Sequence, residues 1–69
     1  MKISARNQLP GTIKDIRKGA TTAHVEIEIG AGMVIVASIT NEAVDQLELA
    51  KGQKAYAVIK ASQVMVGVD

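Results

Sequence analysis

The stretch Thr22-Ala23-His24-Val25-Glu26-Ile27-Glu28-Ile29, followed by Gly30-Ala31-Gly32 and Met33-Val34-Ile35-Val36-Ala37-Ser38-Ile39, decides the fold class. In its first part Val25, Ile27 and Ile29 alternate with His24, Glu26 and Glu28. That period of two puts apolar side chains on one face of a strand and polar ones on the other. The glycine-flanked break predicts a hairpin, and Met33 to Ile39 predicts a second strand. Because this second strand is almost continuously apolar, it should be covered on both sides. A chain of 69 residues cannot cover two faces by itself, so a neighbouring subunit is the expected lid.

Toward the N-terminus, Gly11 to Lys18 reads as a further strand. Its isoleucines, Ile13 and Ile16, are three apart, which breaks alternation and predicts a bulge near Lys14 and Asp15. Gly19-Ala20-Thr21 reads as a turn in which Gly19 supplies a positive φ. Before Pro10, which cannot donate to a sheet ladder, Lys2 to Asn7 is expected as an extended arm uncoupled from the sheet and free to lie against another subunit.

Toward the C-terminus the period lengthens from Thr40, with Ala43, Val44 and Leu47 on one side and Asn41, Glu42, Asp45, Gln46 and Glu48 on the other. This predicts a helix of about two turns, capped by Thr40 or Asn41 and stopped at Lys51-Gly52. Gln53 to Ala61 is the fourth strand, and Val64 to Val68 a fifth after the polar break at Ser62-Gln63. The expected fold over residues 1–69 is a single all-β domain with one short helix: a five-stranded OB-like barrel plus an N-terminal extended arm.

Composition narrows the function. Eight basic and seven acidic residues give a net charge of +1 with no basic block, and Tyr56 is the sole aromatic. Both features disfavour an OB-type nucleic-acid-binding module, the main alternative reading, which needs a cationic groove and stacking rings. No cysteine is present, so disulfides and thiolate metal sites are excluded and oligomerisation is the remaining support for so small a core. No apolar run approaches the roughly 18 residues of a membrane span, and the start does not read as a signal peptide. A soluble, cytoplasmic protein with no membrane partner is expected. Catalysis finds no nucleophile motif: Ser4, Ser38 and Ser62 share one histidine, and His24, Glu26 and Glu28 read as a wet strand face, not metal ligands. A pterin binder would want stacking walls that one tyrosine does not provide.

The densest chemistry lies in Ser4-Ala5-Arg6-Asn7. A hydroxyl, a five-donor guanidinium and a carboxamide flank a small alanine that leaves the backbone approachable, a donor set suited to a small oxyanion. Plain solvation of an exposed arginine is the ordinary alternative.

The run Ile3-Ser4-Ala5-Arg6-Asn7-Gln8-Leu9-Pro10-Gly11-Thr12-Ile13, with Lys18-Gly19, Ala37-Ser38-Ile39-Thr40 and Val58-Ile59-Lys60-Ala61-Ser62, resembles the molbindin or Mop-domain family across essentially the whole chain. These are small molybdate- and tungstate-binding proteins, once called molybdenum-pterin-binding proteins. The resemblance implies an OB-like barrel, a homohexamer built as a trimer of dimers, and molybdate or tungstate as ligand with no cofactor, for storage, buffering or homeostasis. It also implies oxyanion sites between subunits. Ser4, Ala5 and Arg6 match one contributor, Lys60, Ala61 and Ser62 match the segment completing the site from a neighbour, and the helix start, Thr40, Asn41 and Ala43, resembles a third. Gly19 and Ala20 match the surroundings of a second kind of site on the three-fold axis. The DNA-binding and ATPase domains of the family's regulators and transporters have no counterpart in these residues, so control of transcription or transport by this chain alone is not expected.

Overall fold

The computed structural model describes residues 1–69. Four strands, β1 (Asn7–Lys18), β2 (Thr22–Gly30), β3 (Met33–Thr40) and β4 (Lys54–Ile59), form one antiparallel sheet in the order β3-β2-β1-β4, with helix α1 (Asn41–Gln46) between β3 and β4. The alternation of β2 places Val25 and Ile27 in the core and leaves His24 outside. The β2–β3 turn is a two-residue loop, Ala31-Gly32, with φ of 52° and 76°. Positive φ at both positions is the hairpin geometry that matches strand twist.

The bulge is where the isoleucine spacing puts it. Ile13 pairs with Ile27 and Asp15 with Glu26, so Lys14 is the extra residue. It turns the strand enough for Ile13 to be fully buried and for Ile16, three positions on, to pack against the same core. Ahead of the bulge, Gly11 lies so close to β2 that a Cβ there would sit 2.5 Å from the Glu28 carbonyl oxygen.

Helix α1 starts as expected, the Thr40 hydroxyl accepting the Ala43 N–H at 3.0 Å. It ends earlier than Lys51-Gly52. Glu48 adopts φ 52°, its N–H bonding the Asp45 carbonyl at 3.1 Å while the Leu49 N–H bonds that of Val44 at 3.1 Å. This is a Schellman stop with glutamate where glycine is usual; Gly52, at φ 88°, serves the next turn instead.

Three further expectations are corrected. Val64 to Val68 forms no fifth strand; after a 3-10 turn at Ala61–Gln63 the segment lies outside the sheet, with Met65, Val66 and Val68 more than 90% exposed. Strand formation needs a partner ladder, and the single chain offers this segment none, so β3 and β4 remain open edges and the barrel is unclosed. Pro10 does not uncouple an arm: β1 runs through it, because at Pro10 the strand pairs only with β4 and joins β2 from Thr12 onward, and a strand with one open side tolerates a missing donor. Of the expected arm, only the residues before Asn7 lie outside the sheet. Gly19 does not have a positive φ; what suits glycine there is space, since a Cβ would lie 3.0 Å from the Thr22 carbonyl oxygen. As expected of so short a chain, β3 is covered on one face only by its own fold. Ile35, Ala37 and Ile39 pack on the core, whereas Val36 is 62% exposed.

Only Ile13, Ala23, Val25, Ile27, Val44 and Ala57 are buried. Six residues are a small core for 69, which fits a chain whose apolar surface is only partly used by its own fold.

Candidate functional site

Asn7, the first residue of β1, pairs with Ile59, the last of β4. Since the strands are antiparallel, the chain entering β1 and the chain leaving β4 emerge side by side from the same end of the sheet. Ser4, Ala5 and Arg6 therefore stand opposite Lys60, Ala61 and Ser62, and with Ile3 and Val58 they line a hollow of about 450 Å³. The resemblance assigns these two segments to a site shared between subunits; within one chain they also lie side by side.

The polar groups around this hollow divide by type. Several carbonyl oxygens at its rim are engaged. That of Ala5 accepts from the Gln8 side chain at 3.0 Å, that of Ile59 from Asn7 Nδ2 at 3.1 Å, that of Lys60 from the Gln63 N–H at 2.8 Å and that of Ala61 from the Val64 N–H at 3.2 Å. Its side-chain donors are free. The ion pairs of the structure are Arg17–Asp15 and Lys18–Asp45, so neither Arg6 nor Lys60 has a carboxylate partner. The hydroxyls of Ser4 and Ser62 make no hydrogen bond within the chain. Two cations and two hydroxyls lining one space, with several of the neighbouring acceptors occupied, can hold a group that only accepts hydrogen bonds.

The other expected contributors lie elsewhere. Thr40, Asn41 and Ala43 do not reach the hollow of their own chain; they meet the β1–β2 turn, where Asn41 Nδ2 donates to the Gly19 carbonyl at 2.9 Å and the Asn41 N–H to that of Thr21 at 2.9 Å. Gly19 and Ala20 thus neighbour the helix start, and both are exposed. Here the Asn41 and Ala43 N–H groups and the Asn41 side-chain donor are engaged within the chain, and Asn41 Oδ1 is a buried acceptor without a partner.

Sequence reasoning missed a second hollow of about 400 Å³ along the β1–β4 pairing, lined by Pro10, Gly11, Thr12, Lys54, Ala55 and Tyr56. It exists because Gly11 pairs with Ala55, two positions with little side chain. Only the register could have revealed it. The roles of Asn7 and Gln8 in bonding the rim carbonyls were also missed, since they depend on contacts the linear pattern does not contain.

The family model of the TOBE domain matches residues 3–66. A probable molybdenum-pterin-binding protein of Haemophilus influenzae is 51% identical over 69 residues, covering 100% of both chains. Among solved structures, MopII from Clostridium pasteurianum superimposes with a TM-score of 0.90 at 39% identity, covering 97% of this chain and 100% of its own. The cytoplasmic molybdate-binding protein ModG, with molybdate bound, gives a TM-score of 0.93 at 46% identity over 100% of this chain and 49% of its own. No helix is long and apolar enough to cross a membrane. With a domain match over nearly its whole length and relatives aligned end to end, the chain belongs to the TOBE-domain family and, within it, to the molybdenum-pterin-binding, or Mop, proteins.

Proposed function

We propose that this chain is a cytoplasmic binding protein for molybdate or tungstate, acting in storage, buffering or homeostasis and not as an enzyme. The observation that carries this reading is the hollow between Ser4–Arg6 and Lys60–Ser62, where the side-chain donors of Arg6, Lys60, Ser4 and Ser62 are free and the Ala5, Lys60 and Ala61 carbonyls already accept hydrogen bonds. Molybdate is a tetrahedral dianion whose oxygens only accept, so it matches this rim and relieves the repulsion between the two cations. The molybdate-binding relatives support the same ligand.

The hollow opens to solvent on its outer side, and the exposed Val36, Met65, Val66 and Val68 remain uncovered by the chain's own fold. A homo-oligomer, a hexamer on the family pattern, supplies both needs. A second copy covers the apolar surface and closes each hollow, its helix start at Thr40, Asn41 and Ala43 being the segment proposed to face the anion, while Gly19 and Ala20 border the second kind of site. Binding then favours assembly, because a ligand that prefers the assembled state stabilises it by mass action.

The test is isothermal titration with molybdate and tungstate alongside native mass spectrometry, reading bound anions and subunit count together. Saturable binding to an oligomer, lost on dilution to monomer, is the expected result. A strictly monomeric sample that captures the anion at full strength overturns the shared-site reading, and absence of binding overturns the whole.

A further inference from the structure

The carboxamides of Asn7 and Gln8 touch no open space of the hollow, yet each bonds one of its two lips. Asn7 Nδ2 donates to the Ile59 carbonyl across 52 positions of sequence, tying the start of β1 to the residue before Lys60. Gln8 donates to the Ala5 carbonyl, holding the opposite lip in place between Ser4 and Arg6. Both bonds also engage an acceptor beside a space where an anion would meet its lone pairs unfavourably. Asn7 is half-buried, so its bond is the better shielded of the two.

We infer that Asn7 and Gln8 are positioning residues that set the spacing and polarity of the anion hollow, Asn7 by fixing the Lys60 lip to the Arg6 lip and Gln8 by turning the Ala5 carbonyl to its own side chain. This rests on the oxyanion reading above and adds to it the source of size selection. Beside the costlier dehydration of a smaller oxyanion of equal charge, donor spacing discriminates by size, and a rim pinned at both lips keeps that distance while a loose rim closes onto the smaller ion.

The test compares the parent with Asn7→Leu and Gln8→Met, which keep bulk and remove the donors, and with Asn7→Gln, which keeps the amide. Titration with molybdate and with sulfate gives a ratio of affinities, and amide NMR shifts of Ala61 and Ser62 report the lip without ligand. For Asn7→Leu we expect molybdate affinity to fall by about 10- to 100-fold, with a smaller loss for Gln8→Met and partial recovery in Asn7→Gln. The molybdate-to-sulfate ratio should fall with it, and the Ala61 and Ser62 signals should move in Asn7→Leu. A merely structural contribution lowers the folded fraction and leaves the ratio unchanged. Should Asn7→Leu not fold, Gln8→Met decides, its bond being local and exposed. Affinity and ratio within twofold of the parent in the folded variants overturn the positioning role while Arg6→Ala still abolishes binding. A parent that binds neither ion overturns the oxyanion reading, and this inference with it.

Discussion

Two groups of donors in this chain look alike on paper and differ in the fold. At the rim of the hollow, the side chains of Ser4, Arg6, Lys60 and Ser62 point no hydrogen bond at their own chain while the Ala5, Ile59, Lys60 and Ala61 carbonyls are engaged. At the helix start, the Ala43 and Asn41 amides and the Asn41 side chain are bound internally, and an unpartnered acceptor, Asn41 Oδ1, sits among them. The lesson concerns what a donor is for. A donor engaged in its own chain shapes the fold, and one left free beside occupied acceptors is available to a ligand.

The comparison breaks most visibly at Arg6. Arg6→Ala should weaken molybdate binding by about 2–5 kcal/mol, since an enclosed anion loses a charged partner, and should leave the melting temperature without ligand almost unmoved. Titration and thermal melting on the same sample check both halves. Lys60→Ala should follow with a smaller loss of about 1–3 kcal/mol, an ammonium being a point charge where guanidinium is a fork; parity with Arg6→Ala would show two equally desolvated cations. The helix start should respond the other way round. Thr40→Ala removes a cap and should cost about 1 kcal/mol of stability by urea denaturation, and a loss of affinity larger than that of Lys60→Ala would place its hydroxyl in the site instead. The smallest effect is expected at Glu48, whose left-handed conformation strains a side-chain-bearing residue. Glu48→Gly should raise stability by about 0.5–1 kcal/mol with binding untouched.

How much of this was legible in the sequence follows from what each signal depends on. Alternation in Val25, Ile27 and Ile29 and the three-residue step between Ile13 and Ile16 are local patterns, and they yielded β2 and the Lys14 bulge. Thr40 as a cap was local too. Val64 to Val68 has the composition of a strand but no ladder within its own chain, and composition cannot say whether a partner is present. Pro10 misled because its effect depends on which side of β1 is occupied, a fact of register. At the site, the donor character of Ser4 and Arg6 could be read directly, whereas their meeting with Lys60 and Ser62 entered through family resemblance, and its cause, the Asn7–Ile59 pairing, is visible only in the sheet.

The longest strand is shared out unevenly: its first residues pair with β4 and its later ones with β2, and only around Thr12 and Ile13 is it held on both sides, Ile13 also bonding Gly52 and Gln53 just ahead of β4. The strand therefore acts as a splint clamped at its middle. Parting residues 7–11 from β4 would separate the two lips of the hollow without breaking a single rung between β2 and β3. Opening at that end is thus separable from loss of the hairpin that anchors the hydrophobic centre.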